Sequence, residues 1–85
     1  MIKKTFFGKP KSNVDVILYA LYINTEKGKK SKWAGECAER IEIDNRINKY
    51  IENNDYVSAT IICKYKEKGK NCSYNEYVRY SNADR

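Results

Sequence analysis

The chain has 85 residues, with seventeen Lys and Arg against eleven Asp and Glu, a net charge of +6 and no histidine. This length predicts a single domain, residues 1–85, with one modest core and a binding surface instead of a deep cleft. The lack of histidine removes the side chain most used for proton transfer near neutral pH and the commonest metal ligand, so the composition argues against an enzyme.

Residues 1–13 carry four lysines, no acidic residue and the pair Phe6-Phe7, and Pro10 follows shortly after. We favour an extra N-terminal edge strand, with one Phe in the core and Pro10 closing the strand. Adjacent phenylalanines are costly to expose, which supports this interpretation. A mobile basic arm is the alternative.

The apolar run from Val14 to Ile23 is rich in β-branched and aromatic residues, which predicts a strand. A short buried helix capped by Ser12 or Asn13 stays open as an alternative, because periodicity alone does not assign a continuous apolar run. A three-residue loop, Glu26-Lys27-Gly28, would form a hairpin with the following segment. Its register would place these pairs on one mostly apolar face: Ile23 with Ser31, Leu21 with Trp33, Tyr19 with Gly35, and Ile17 with Cys37.

Between two strand regions, Asp44 is suited to cap a short helix over residues 45–53. Asn54 and Asp55 would end this helix, and a break is expected near Ile43. Its apolar side would consist of Ile47, Tyr50 and Ile51.

The tetrapeptide Glu-Lys-Gly-Lys of the first loop recurs at residues 67–70. The same three-residue loop there predicts a second hairpin in which Cys63 and Cys72 point to opposite faces and form no disulfide. The expected pairs are Lys66 with Lys70, Tyr65 with Asn71, Cys63 with Ser73, and Ile61 with Asn75, and Tyr77 would share a face with Val57, Ala59, Ile61 and Cys63.

Together these elements predict an α+β fold, in which a small antiparallel sheet of two β-hairpins in ββαββ order is covered by one short helix. Cys37, Cys63 and Cys72 are odd in number and follow no CxxC spacing, which predicts reduced thiols and no zinc site. The longest apolar run is about half as long as a membrane-spanning helix. We therefore expect a cytoplasmic protein without a membrane segment, a metal or another cofactor.

Two lysine-rich hairpin tips are the first candidate site. Charge alternates along the chain from basic to acidic to basic, and alternate lysines of a strand fall on one face. Two such tips would straddle a phosphate backbone, each lysine acting as a point charge. Lysines that merely protect exposed strand edges are the alternative. The residues concerned are Lys27, Lys29, Lys30 and Lys32 on the first tip, and Lys64, Lys66, Lys68 and Lys70 on the second.

Tyrosines close to these lysines are the second candidate. The chain has eight Tyr, two Phe and one Trp. Nucleobases stack on such rings while a neighbouring lysine holds the phosphate. A role in a protein interface or in the sheet itself is the alternative, and no RNP-type motif supports an RRM. The rings expected to bind a partner are Tyr22, Tyr65 and Tyr74.

An acidic stretch is the third candidate, since clustered carboxylates bind divalent metals or transfer protons. Its spacing by three is more typical of a solvated helix or strand face, so we predict neither a catalytic residue nor a metal site. The residues are Glu36, Glu39, Glu42 and Asp44.

The small size, the bias toward Lys, Asn, Ile and Tyr, and the compact αβ pattern without a catalytic set are similar to small proteins of phages and mobile elements. These include anti-CRISPR and other anti-defence inhibitors. The resemblance is one of composition and transfers no residue roles. It implies a non-enzymatic inhibitor that acts in the host cytoplasm and blocks a nucleic-acid-processing machine by occlusion.

Two other functions fit the same basic, aromatic composition. One is a single-stranded nucleic-acid-binding module, and the other is a sponge for an anionic nucleotide messenger. In each case the partner is anionic, either a nucleic acid, a protein complex that processes it, or a nucleotide. Self-association as a homodimer also stays open, because a small sheet with two apolar faces needs a second cover.

Overall fold

Five strands and one helix make up residues 2–82 in the computed structural model of the chain. Met1 and residues 83–85, the ends of the predicted domain, lie outside the described residues. All the strands form one antiparallel sheet in the order β1-β5-β4-β2-β3. The predicted α+β class is therefore confirmed. The elements are β1 (Ile2–Phe7), β2 (Val16–Asn24), β3 (Lys32–Cys37), α1 (Arg40–Asn53), β4 (Tyr56–Glu67) and β5 (Lys70–Ser81).

The predicted sheet of two hairpins in ββαββ order needs correction. Both hairpins form, but β2 also pairs with β4 at the centre of the sheet, and β1 pairs with β5 at one edge. The extra N-terminal edge strand is thus confirmed, and the apolar run before the first loop is a strand, not a helix.

The expectation that one Phe of this edge strand enters the core is wrong. All of β1 is exposed: Phe7, 71 % exposed, points to the side of the sheet away from α1, and α1 packs on β2, β3 and β4 without reaching over Phe6. Phe6 instead lies under the ammonium group of Lys9, whose Nζ is 4.2 Å from the ring centroid.

A two-residue turn joins β4 to β5, in place of the predicted three-residue loop. Lys68 and Gly69 both have positive φ, 51° and 77°, and Glu67 pairs directly with Lys70. This is the pattern of a type I′ turn, whose twist matches that of the flanking strands. The register differs by one residue from the prediction, so every β5 side chain lies on the opposite face from the one expected.

The new register reverses the predicted arrangement of two cysteines. Cys72 pairs with Tyr65 and so lies on the same face as Tyr65. Cys63 is two residues before Tyr65 on β4 and shares that face, so both thiols point to the helix side of the sheet. They are not directly opposite each other, since Cys63 pairs with Tyr74, and all three cysteines of the chain are free.

The first hairpin is also wider than predicted, with its loop spanning residues 25–31. The expected turn is present, because Lys29 N donates to Glu26 O at 3.1 Å and Gly28 has a φ of 86°. The longer loop shifts the register, so that Trp33 pairs with Tyr22 instead of Leu21. Trp33 consequently lies on the face turned away from the helix.

A bulge near Gly35 then shifts the register of β2 and β3 a second time. Gly35 has a φ of 109°, and a Cβ there would collide with Nη1 of Arg46. The same Nη1 donates to the carbonyl of Ala34 at 2.8 Å. Because of the bulge, Cys37 pairs with Tyr19 and returns to the core face as predicted, although not with Ile17.

The helix begins at Arg40, earlier than predicted, and Asp44 lies within its second turn instead of capping it. Tertiary contacts explain the extension, because Ile43 is fully buried and Arg40 contacts the sheet. The predicted end of the helix at residue 53 is confirmed. Ile47 and Ile51 pack on the sheet as expected, whereas Tyr50 is 38 % exposed.

The core lies between α1 and the face of the sheet that it covers. Its buried members alternate along the central strands with residues of the opposite face, as the period of two in a strand requires. They are Leu21, Ile23, Cys37, Ile43, Ile47, Val57, Ala59, Ile61, Cys63 and Val78.

An ion pair fastens the first turn of the helix to this face. The guanidinium of Arg40 donates to both carboxylate oxygens of Glu76, with Nη1 to Oε1 at 3.1 Å, and its Nε donates to Asp44 at 3.0 Å. Glu76 is only 4 % exposed. Burial lowers the pKa of Arg40, but the hydrogen bonds that its guanidinium donates to Glu76 and Asp44 outweigh this effect and raise the pKa. A buried carboxylate thus depends on a single cation.

Replacing Arg40 alone should destabilise the fold, because it leaves Glu76 buried without a partner. We expect Arg40→Met to lower the free energy of unfolding by about 3 kcal/mol, and the double variant Arg40→Met/Glu76→Leu to recover most of that loss. Urea denaturation followed by circular dichroism measures both values. Equal destabilisation of the single and double variants would contradict the pairing.

Substitutions at Lys68 and Gly69 should have different effects on the free energy of unfolding. Gly69→Ala is expected to cost about 1 kcal/mol, since an L-residue is strained at this φ. Lys68→Asn should be neutral or slightly stabilising, because Asn tolerates left-handed backbone. The same denaturation experiment tests the pair, and a stabilising Gly69→Ala would argue against the type I′ turn.

Candidate functional site

One side of the sheet is left without a helix, and we call it the open face. It consists of alternate residues within 3–7, 18–24, 58–66 and 73–79, together with Trp33 and Glu36. No element of residues 2–82 packs over it, so its side chains are available to a partner.

An aromatic row crosses the open face. Trp33 pairs with Tyr22, Tyr22 with Thr60, and Thr60 with Tyr77, so the four side chains lie side by side on successive strands. Trp33 is 62 % and Tyr77 41 % exposed. With strands about 4.8 Å apart, Tyr22 and Tyr77 lie roughly 10 Å from each other with Thr60 between them. The side chain of Asn75 donates to the Tyr77 hydroxyl at 3.2 Å and so restrains that ring.

Two cations occupy the neighbouring row. Ser58 pairs with Arg79 on β5, and Arg79 pairs with Lys3 on β1, at the end of the sheet that carries the β2–β3 loop. Both cations are exposed, and no ion pair is formed by either within the part of the chain that the structure describes. Arg79 is two residues from Tyr77 on β5, and Lys3 is two residues from Thr5 on β1. Both cations are therefore within reach of a ligand that lies on the aromatic row.

The charges of the protein are distributed unequally between its two sides. Within the described residues, Glu36 is the one acidic side chain of the open face, and Lys64 neutralises it through a contact of 3.2 Å. On the helix side, α1 carries equal numbers of acidic and basic residues, in addition to buried Glu76: Glu42, Asp44 and Glu52 against Arg40, Arg46 and Lys49. The open face therefore has an excess of positive charge that an anion would meet first.

The two predicted lysine tips lie at opposite ends of the sheet. The cause is the antiparallel pairing of β2 with β4, in which Asn24 meets Ser58 and Val16 meets Tyr65. The run of β4 from residue 58 to residue 67 separates the tips by roughly 30 Å, so they do not form one clamp. The first tip has Lys27, Lys29 and Lys30 in the loop and Lys32 at the start of β3; the second has Lys64 and Lys66 on the open face, Lys68 in the turn and Lys70 at the start of β5.

The three predicted tyrosines are also divided between the two faces. Tyr22 lies in the aromatic row, whereas Tyr65 and Tyr74 point to the helix side, with ring centroids 6.0 Å apart. Burial, followed by the proximity of Cys63, raises the pKa of Tyr74 to about 12. Burial also raises the pKa of Tyr65 and that of the Cys63 thiol. This pair is therefore neutral and packed at ordinary pH.

Trp33, Tyr77, Arg79 and Lys3 were not among the predicted site residues. Their positions follow from two turns, the β2–β3 loop and the Lys68-Gly69 turn. If a two-residue turn had been predicted at Lys68 and Gly69, the register would have placed Tyr77 and Arg79 on the same face as Thr60 and Ser58.

The acidic stretch is dispersed by the fold. Glu36 faces Lys64, Glu39 precedes the helix, and Asp44 binds Arg40. Within residues 2–82 no three potential ligands come close enough together to hold a metal ion. The helix of the described chain is also too short and polar to cross a membrane.

No protein-family model, curated protein or solved structure matches this chain at a significant level. The chemistry of its own surfaces, above all the open face, is therefore the basis for its function.

Tyr74 makes the stability of the fold sensitive to alkaline pH. Its pKa in the folded state lies above the ordinary value of 10.0, so its contribution is complete below pH 10 and is lost as the pH rises toward 12. We expect the urea midpoint to fall between about pH 8 and about pH 11, and to fall less in Tyr74→Phe, which has no proton to lose. An identical decline in both proteins would show that Tyr74 does not contribute.

Proposed function

We propose that the protein is a non-enzymatic binding protein that holds single-stranded nucleic acid on its open face. Bases would stack on Trp33, Tyr22 and Tyr77, and phosphates would bind Arg79 and Lys3. The observation that carries this proposal is the aromatic row with two exposed cations in the adjacent row, on a sheet face that the helix leaves free.

The chemistry of the face favours a single strand over a duplex. A sheet presents its rings to unstacked bases, whereas a duplex hides the base faces and is read by an element inserted into a groove. Stacking is tolerant of sequence, because every base has a π-face. The serine and threonine hydroxyls between the aromatic and basic residues supply hydrogen bonds to bases or sugars.

The two lysine tips would extend this site along the sheet. The molecule measures 43 Å along its longest axis, and the lysines lie near both ends of the open face. A strand that crosses the aromatic row would continue toward one or both tips, where lysines attract phosphates without fixing their geometry. The tips would thus act as separate electrostatic ends instead of a clamp.

A second candidate function is occlusion of a nucleic-acid-processing protein, as an inhibitor of the anti-defence type would do. The observation that favours it is the exposed apolar area of Phe7, 71 % exposed, in addition to Trp33 on the same face. Aromatic side chains of this kind anchor protein interfaces. A second copy of the chain is a further partner that this area would suit.

Fluorescence anisotropy with a labelled oligonucleotide of about 12 nucleotides, bearing 5′-hydroxyl ends, tests the first function. Tyr77→Ala should weaken binding by about tenfold, the value of one lost stacking contact. Arg79→Glu should weaken it by a similar factor. Their matched controls are Phe6→Ala, with a ring of similar exposure on the helix side, and Lys49→Glu, an equal charge change on the helix side.

Salt dependence and strandedness complete this test. For two phosphate contacts, at Arg79 and Lys3, raising salt from roughly 50 to roughly 200 mM should reduce affinity about sevenfold. Duplex DNA should bind more weakly than the single strand. Equal losses in the open-face variants and their controls would overturn the site, and no binding at low salt would reject the function and leave occlusion of a protein as the candidate.

A further inference from the structure

A cavity of about 370 Å³ lies between the β2–β3 loop and the C-terminal half of α1. We call it the loop pocket. Its floor includes Ile23 of the core, and its walls are formed by the loop, by the start of β3 and by Tyr50 of the helix. It lies at the edge of the sheet, with Tyr50 and Ile23 on the helix side and Asn24 and Trp33 on the open face.

Hydrogen bonds hold the loop wall in shape without a ligand. The side chain of Asn24 donates to the Lys29 carbonyl at 2.8 Å and accepts from the Glu26 amide at 2.9 Å. The turn is closed by the bond from Lys29 N to Glu26 O. The side chains of Lys29 and Lys30 therefore project from a preorganised backbone, which lowers the entropic cost of binding.

The charge of the loop pocket suits an anion. Three of its lining residues are cations, Lys29, Lys30 and Lys32, and one, Glu26, is an anion. No ion pair joins these groups among the described residues. The lysine ammonium groups are thus free to bind phosphate oxygens.

Its shape and apolar surface suit one planar ring. Trp33 and Tyr50 line the cavity from different elements, a strand and a helix, and Ile23 supplies an apolar floor. The volume is near the lower end of the range of roughly 300 to 1,000 Å³ for small-molecule sites. This is enough for a mononucleotide and too little for a dinucleotide.

We propose that the loop pocket binds a nucleoside phosphate, with the base against Trp33 and Tyr50 and the phosphate on the lysines. The ligand is either a free nucleotide or the terminal nucleotide of a strand that lies on the open face. Trp33 belongs to both surfaces, so a strand end has a direct route into the pocket. The free-nucleotide form of the proposal does not depend on the open face.

The fluorescence of Trp33 tests this site, because the chain has a single tryptophan. Titration with adenosine 5′-monophosphate should change the emission saturably, and adenosine or inorganic phosphate alone should act at least about tenfold more weakly. Lys30→Glu/Lys32→Glu should raise the dissociation constant of the nucleotide at least about tenfold. Tyr50→Ala should do the same without a change of charge, and Tyr77→Ala should leave the constant within about twofold.

Oligonucleotides with and without a 5′-phosphate separate the two sources of the ligand. If strand ends enter the pocket, the phosphate should strengthen binding to the wild type but not to Lys30→Glu/Lys32→Glu. If the ligand is a free nucleotide, the end group should have no effect while the mononucleotide still binds.

The proposal is overturned if about 5 mM nucleotide gives no saturable change, or if the charge-reversed and wild-type proteins respond alike. Circular dichroism checks that the variants are folded. If instead the proposed binding of single strands to the open face is wrong, Tyr77→Ala will leave oligonucleotide binding unchanged.

Discussion

The register of β4 against β5 is the constraint on which the two faces of the protein depend. The turn at Lys68 and Gly69 fixes it, and a shift of one residue would exchange the faces of every β5 side chain. In the observed register Glu76 and Val78 point toward α1, and Tyr77 and Arg79 point away from it. The ion pair between Arg40 and Glu76 and the aromatic row are therefore two consequences of a single turn.

The helix side of the sheet contains the residues that stabilise the fold, and the open face contains the residues available for binding. On the helix side, ten buried apolar residues and a paired carboxylate fasten α1 to the sheet. One helix of fourteen residues covers β2, β3 and β4 on one face of the sheet, so the other face retains aromatic, hydroxyl and basic side chains that the core does not use. Acidic and basic residues balance on α1, whereas cations outnumber the single carboxylate of the open face within the described residues, which is the sign of charge that a nucleic acid requires.

The positions of strands and helix were largely predictable from the local sequence, whereas the register between paired strands was not. The strand before the first loop, the end of the helix and the edge strand at the N-terminus were all predictable. The loop at Glu67 was not, because Gly69 suits a two-residue or a three-residue loop, and Lys is uncommon at the positive φ that Lys68 adopts. The length of the first loop was equally uncertain, and the predicted three-residue loop placed Trp33 on the wrong face of the sheet. The pairing of β2 with β4, a long-range contact, separated the lysine tips.

The most direct test of the open face is a chemical-shift titration of isotopically labelled protein with a single-stranded oligonucleotide. We expect the largest amide and side-chain shifts at Tyr22, Thr60, Tyr77 and Arg79 and at the indole of Trp33, and only small shifts at residues 41–49 of the helix. Shifts concentrated on the helix, or confined to the second lysine tip, would contradict it.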